Sequence, residues 1–112
     1  MEEINVGEFI RTREPYGEIL KVVGIGEKDV LVTDSYENNL MATDWVKKHS
    51  ENIIDLIEVG DYVNGKYVFD VFEKDGKKYL KVDCMYGYYS EDEIGEVVTH
   101  EQFENMVYRL GD

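Results

Sequence analysis

Residues 4–10 read INVGEFI and residues 57–63 read IEVGDYV, so one order of apolar, glycine, acidic, aromatic and β-branched residues occurs twice. Three further pairs of segments follow in the same order: 19–23 with 68–72, 30–34 with 79–83, and 50–54 with 99–103. Self-similarity of this kind is typical of a repeated structural unit. The sequence therefore predicts two copies of one unit, over residues 1–56 and 57–112.

A hairpin around Asp75-Gly76 is the clearest single element, because a type I′ turn needs positive φ at both central residues and Asp-Gly adopts it. Counting outward from the turn predicts cross-strand pairs. On one face these are Glu73 with Lys78, Val71 with Leu80 and Phe69 with Val82; on the other they are Phe72 with Tyr79 and Asp70 with Lys81. The first face is expected to enter a core, and the two opposite-charge pairs favour this register over a slip.

Each unit is expected to close with a helical segment. Thr99 and Gln102 form a capping box, and the apolar residues that follow predict an amphipathic helix from His100 to Leu110 with Phe103 on its buried side. Ser50 occupies the equivalent position in the first unit, where only about one helical turn fits before the next strand.

Short strands, tight turns and brief helical segments predict a mostly β protein with short helices. The expected architecture is two tandem SH3-like small-barrel units, of which the second is closed by the C-terminal amphipathic helix. The alternative is a single α+β domain with one mixed sheet.

The charge of the chain limits its partners. Among 112 residues, 25 are acidic and 12 are Lys or Arg, which gives a net charge of −13 divided almost equally between the two halves. Polyanions bind through Lys and Arg, so direct contact with nucleic acid or an anionic membrane is not expected. One cysteine, no basic leader and no long apolar run predict a cytoplasmic protein.

The sequence contains no pattern typical of an enzyme. His49 and His100 have no Cys, Asp or Glu at a recognised metal-ligand spacing, and each is expected to face solvent beside a helix cap. Cys84 has no flanking signature of a nucleophile. We therefore expect a non-enzymatic protein with no catalytic residue, no metal and no cofactor.

The most unusual composition lies in two loops that the repeat makes equivalent. The candidate partner-binding residues are Tyr86, Tyr88, Tyr89, Glu91, Asp92 and Glu93 in the second unit, with Tyr36, Glu37 and Trp45 in the first. Aromatic residues are enriched at the centres of protein interfaces, and acidic residues around them steer basic partners. We expect the two loops to form one composite surface, or else a tyrosine-rich edge strand beside a solvated acidic turn.

Two segments resemble a known group of proteins. Residues 47–65, KKHSENIIDLIEVGDYVNG, and residues 97–104, VVTHEQFE, are similar to segments of small, mostly uncharacterised phage and prophage proteins of Gram-positive bacteria. The resemblance implies a phage accessory protein. It brings no catalytic residues to this chain.

These observations give three hypotheses of function, of which the third is an enzyme of a type that the sequence does not reveal. The first is a non-catalytic inhibitor that covers the nucleic-acid-binding surface of a basic host protein, for example a defence nuclease of the CRISPR type. The second is a protein that binds or sequesters a small nucleotide signal between the units. Its candidate phosphate ligands are Arg11, Arg13 and the Lys77-Lys78 pair.

Overall fold

The structure is a computed structural model that describes residues 3–34, 37–83 and 88–106. Within these ranges the chain is mostly β, with two five-stranded antiparallel sheets and one short α-helix. The predicted class is therefore confirmed, and the alternative of one mixed sheet is wrong.

The first sheet has the strand order β4-β3-β2-β1-β5. Its strands are β1 (Phe9–Thr12), β2 (Ile19–Ile25), β3 (Asp29–Thr33), β4 (Asn38–Ala42) and β5 (Val46–Ser50). A 3₁₀ turn, η1 (Thr43–Trp45), leads from β4 into β5, and η2 (Ile53–Leu56) follows β5. The short helical turn expected after Ser50 is thus a 3₁₀ turn.

The second sheet repeats this order, read from its far edge as β9-β8-β7-β6-β10. Its strands are β6 (Tyr62–Val63), β7 (Lys66–Lys74), β8 (Lys77–Val82), β9 (Tyr88–Tyr89) and β10 (Val97–Val98). A 3₁₀ turn, η3 (Glu91–Glu93), precedes β10, and α1 (His100–Met106) follows it. The same strand order and the same place for the 3₁₀ turn are what a repeated unit predicts. We call the parts that carry the two sheets the first and second units.

Backbone hydrogen bonds give the correct alignment of the two units. Gly7 N donates to Val22 O and Gly60 N donates to Val68 O, both at 2.9 Å. Val22 therefore corresponds to Val68, whereas the sequence comparison paired it with Val71. That pairing was wrong because strand residues of similar character recur every second position, so several registers fit equally well.

A β-bulge causes a second difference from prediction. The β7–β8 hairpin has four of the five predicted pairs, but a register shift between Val68 and Asp70 puts Val68 opposite Val82. The predicted pair of Phe69 with Val82 is therefore wrong, and the Phe69 side chain is 49% exposed. At a bulge two residues oppose one, so alternation counted from the turn fails beyond it. The first sheet has the corresponding bulge between Val22 and Gly24.

Each sheet covers its own core, and the second core also takes residues from the first half of the chain. The first core contains Ile4, Ile10, Val22, Val30, Val32 and Val46. The second contains Ile54, Ile57, Val63, Val68, Leu80 and Val82, with Ile19 packed against it. Because Ile54 and Ile19 precede the predicted boundary after residue 56, the two units share packing.

The predicted barrel closure is not seen among the described residues, where β4 and β5 remain the edges of the first sheet and β9 and β10 those of the second. The Thr99 capping box is present, with Gln102 N donating to Thr99 Oγ1 at 3.2 Å. Phe103 is 43% exposed and stacks on Tyr62, so its predicted burial is wrong. The rest of the predicted helix, 107–110, lies outside the described residues. No helix in the described part of the chain is long and apolar enough to cross a membrane.

Candidate functional site: an aromatic patch beside an acidic groove

Three aromatic rings meet on the outer face of the second sheet, and we call Phe72, Tyr79 and Tyr88 the aromatic patch. Side chains alternate between the faces of a strand, so Tyr79 points outward beside the buried Leu80. Phe72 stacks on Tyr79 with ring centres 5.5 Å apart. Tyr88 meets both rings edge-on, at 5.2 and 4.9 Å, and is 43% exposed. The Lys81 ammonium lies 5.4 Å from the centre of the Phe72 ring.

The predicted acidic residues form η3, directly after β9. Glu93 Oε1 accepts hydrogen bonds from the Ser90 amide and hydroxyl, both at 3.0 Å. Glu91 Oε2 accepts a hydrogen bond from Ile54 N at 3.2 Å. Glu91 and Glu93 therefore stabilise the local structure, whereas the Asp92 side chain is exposed.

A cavity of about 480 Å³ separates η3 from the β7–β8 turn and from η2, and we call it the acidic groove. Its lining includes the acidic residues Asp55, Glu73, Glu91 and Asp92, together with Lys77, Lys78 and Tyr79. Tyr79 belongs to both the aromatic patch and the acidic groove, so the two are continuous.

Charges within the acidic groove are only partly neutralised. Lys78 Nζ lies 2.8 Å from Asp55 Oδ1. Burial alone would raise the pKa of Asp55, but hydrogen bonds from Lys78 and Ser50 outweigh it, and the pKa is lowered. No hydrogen bond or ion pair between described residues engages the carboxylates of Glu73 and Asp92. The groove therefore offers acceptors for a cationic side chain.

Tyr89 differs from its neighbour Tyr88. It is half-buried and packs against the second core. In this structure the side chain contributes to packing, as the alternative of a tyrosine-rich edge strand predicts.

The predicted residues of the first unit lie in a different place. Trp45 meets Tyr16 edge-on with ring centres 5.8 Å apart, beside a separate cavity of about 210 Å³ that Met41 also lines. Glu37 is exposed. Trp45 lines a cavity that shares no residue with the acidic groove, and no hydrogen bond, ion pair or ring contact between described residues joins Trp45 or Glu37 to the aromatic patch. The composite surface of the two loops stays a prediction. Tyr36 and Tyr86 lie outside the described residues.

Sequence reasoning missed a buried ionic cluster that joins the two units. We call Arg11, Glu58, Asp61 and Glu101 the junction cluster. The Arg11 guanidinium makes a bidentate contact with Asp61 at 2.6 and 3.0 Å, and its Nη2 donates to Glu101 Oε1 at 2.7 Å. Arg11 and Asp61 are fully buried, and Glu101 is 4% exposed.

Strand geometry explains how Arg11 reaches the second unit. Ile10 points into the first core, so the next side chain along β1 points to the opposite face, which the second unit covers. Arg11 Nη1 also donates to Leu56 O at 2.9 Å. The α1 helix supplies Glu101, which lies against Gly17 so closely that a Cβ at Gly17 would be 2.5 Å from the Glu101 Cδ.

Electrostatics keep two members of the junction cluster, Arg11 and Glu58, charged. Burial disfavours the charged guanidinium, but the hydrogen bonds and charge of Asp61 outweigh it, so the pKa of Arg11 is raised. Burial likewise opposes the charge on Glu58, but Lys47, Lys48 and Arg11 lower its pKa to about 2. Arg11 and Glu58 therefore carry their charges at neutral pH.

Glu58, His100 and Glu101 have ligand atoms within 4.8 Å of one another, an arrangement that could hold a metal ion. Cations already surround these carboxylates. Arg11 Nη2 lies 2.7 Å from Glu101 and 3.5 Å from Glu58, and both Lys47 and Lys48 lie 3.1 Å from Glu58 Oε2. A divalent cation would meet strong repulsion there, so we assign the group to the junction cluster.

The structure corrects two further expectations. The His49 side chain is only 9% exposed and lies 3.1 Å from Glu8 Oε1, so it does not face solvent as predicted. Arg11 was a candidate phosphate ligand, but its guanidinium is buried against carboxylates and cannot meet a ligand.

Little in the sequence could have identified the junction cluster. Asp61 and Glu101 lie 50 and 90 residues from Arg11, so no local spacing relates them. The available signal was Arg11 itself, an arginine between Ile10 and Thr12 in a predicted strand.

Comparison of the chain with protein-family models, curated proteins and solved structures finds no match.

Proposed function

We propose that the protein is a non-catalytic, acidic inhibitor that binds a basic partner protein and covers the surface with which that partner holds nucleic acid. The resemblance to phage proteins makes a host defence nuclease, of the CRISPR or a related type, the partner class that we favour. In this proposal the protein acts in the cytoplasm of the host cell.

Each unit is, in this proposal, an SH3-like fold in an open form. The supporting observations are the strand order β4-β3-β2-β1-β5, its repetition in the second sheet, and a 3₁₀ turn before the last strand of each. Small β-units of this kind present loops and outer faces as binding surfaces on a rigid frame.

The observation that carries the proposal is the continuity of the aromatic patch with the acidic groove through Tyr79. Tyr88, nearly half exposed, would anchor a partner, because aromatic side chains contribute much of the energy of protein interfaces. Glu73 and Asp92 would accept hydrogen bonds from Arg or Lys side chains that otherwise hold phosphate. Salt should weaken such binding, since it screens the attraction between acidic and basic surfaces.

The test is capture of partners from a nuclease-treated host lysate by the immobilised chain, at low and at high salt. The captured protein is then purified, and its affinity is measured for the wild type and two variants. We expect Tyr88→Ala to weaken binding by roughly tenfold or more. Asp92→Lys should also weaken it, and more strongly at low salt.

Glu27→Lys is the matched control, because it makes the same charge change at an exposed position of the first unit. Each variant should unfold at the same denaturant concentration as the wild type. Nucleic acid should compete with the protein for the partner. Binding that is unchanged by both Tyr88→Ala and Asp92→Lys would contradict the proposed surface, and a partner that binds nucleic acid and this protein together would contradict the proposed inhibition.

A further inference from the structure

The free edge of β4 is built unlike a protected sheet edge. All five of its residues, Asn38–Ala42, pair with β3 without a bulge, and none of them is charged or a proline. Sheet edges are usually blocked by charges, prolines or bulges, because an open edge accepts another strand. Leu40 is 70% exposed at the centre of this edge.

Hydrogen bonding shows which groups the edge offers. Thr43 N donates to Lys28 O at 3.1 Å, one position beyond the pair of Asp29 with Ala42. Opposite residues of antiparallel strands alternate between hydrogen-bonded and non-hydrogen-bonded pairs. The main-chain groups of Asn38, Leu40 and Ala42 therefore point away from β3. Among the described residues, no backbone hydrogen bond engages them on that side.

We propose that this edge pairs with β4 of a second copy of the chain, so that two first sheets become one continuous antiparallel sheet. A two-fold axis at Leu40 would set Leu40 opposite Leu40 of the partner and Asn38 opposite Ala42. Each of these would be a hydrogen-bonded pair that exchanges two bonds. The outer face would gain an apolar strip, because Leu31 lies directly across from Leu40 in each copy.

A second copy can occupy this edge because the pairing strand is neutral, although each chain carries −13. In this register Glu37 would lie opposite the uncharged Thr43. No like charges are therefore directly opposed. The remaining repulsion is long-range and is screened by salt. Dimerisation should thus strengthen as salt rises, whereas binding of a basic partner at the acidic groove should weaken.

Sedimentation velocity of the full chain, over a range of protein concentrations at low and high salt, tests the proposal. We expect a monomer–dimer equilibrium that moves toward dimer at high salt. Leu40→Lys and Leu40→Glu should each raise the dissociation constant by at least about tenfold, since each sets like charges opposite one another and a charge on an edge strand blocks strand addition. Val6→Lys is the matched control, because Val6 is 61% exposed and lies outside the strand.

Mixing the two Leu40 variants is the sharper test, because Lys opposite Glu should restore a heterodimer. Dimer formation that is restored in the mixture supports the register centred on Leu40. A wild-type chain that stays monomeric at every salt concentration overturns the proposal and leaves the edge to a strand of another protein. A dimer that Leu40→Lys does not weaken also overturns it. Circular dichroism of each variant confirms that the sheets are intact.

Discussion

The turn before the first strand has the same construction in both units. In the first unit Gly7 has φ of +95°, and the following carboxylate, Glu8, accepts a hydrogen bond from Asn5 N at 2.7 Å. In the second unit Gly60 has φ of +102°, and Asp61 accepts the equivalent bond from residue 58 N, also at 2.7 Å. A carboxylate side chain, of Glu in one unit and of Asp in the other, thus stabilises the same backbone turn twice.

The two acids differ in everything else that they contact. Glu8 lies near the surface with His49 at 3.1 Å, and its side chain is 15% exposed. Asp61 is fully buried, pairs with Arg11 and accepts a further bond from His100 N at 2.9 Å. In the second unit only, the carboxylate that stabilises the turn, Asp61, is therefore also the centre of the junction between the units. Local sequence specifies the turn, and the tertiary arrangement adds the charge cluster.

The largest effect that follows from this comparison is expected for Arg11→Met. The change leaves Asp61 and Glu101 buried without their cation, so it should lower the free energy of unfolding by about 3–5 kcal/mol. Urea denaturation followed by circular dichroism measures the loss. Arg13→Met is the control two residues along, because Arg13 is exposed and the loss of its surface hydrogen bond to Asp44 O should cost no more than about 1 kcal/mol. Equal effects of the two changes would mean that the cluster does not hold the units together.

Features set by neighbours in sequence were predictable. The Asp75-Gly76 turn has φ of +54° and +79°, as the turn type requires, and the Phe72–Tyr79 pair lies in the predicted register. Tyr88 is nearly half exposed, and its role as a contact residue stays a prediction. These elements depend on chain geometry over a few residues.

Features set by distant contacts were not predictable. The bulge that exposes Phe69 lies beyond the regular pairs next to the turn, and no residue type in the sequence pattern marks its position. The partners of Arg11 are 50 and 90 residues away, and they belong to the second unit, which covers the opposite face of β1. A buried arginine in a predicted strand looks like an exposed one until the covering element is known.

Acid sensitivity tests a further difference between the two turns, because Glu58 in the second unit corresponds to the neutral Asn5 in the first. The pKa of Glu58 is lowered from 4.5 to about 2 in the folded protein. Its charge therefore stabilises the fold above about pH 5, and this contribution, at most on the order of 3 kcal/mol, is lost as the pH falls from 4.5 toward 2. Glu58→Gln should flatten the decline in stability over that range.

Urea denaturation at pH 7, 5, 4 and 3 measures the decline. Glu27→Gln, at an exposed position of the first unit, is the control and should leave the profile unchanged. If Glu58→Gln had the same pH profile as the wild type, the charge of Glu58 would not contribute to the junction, and the second turn would differ from the first by Asp61 alone.

The smallest effects test whether the two turns are equivalent as backbone structures. Gly7→Ala and Gly60→Ala should each cost roughly 1–3 kcal/mol, because side-chain-bearing residues rarely adopt φ near +100°. A Cβ at Gly60 would lie 3.5 Å from His100 Cβ, an ordinary contact, and a Cβ at Gly7 would meet nothing, so the two losses should be similar. Val6→Ala and Val59→Ala control for the neighbouring positions. A neutral Gly7→Ala beside a costly Gly60→Ala would mean that the junction, and not the shared turn, determines the need for glycine.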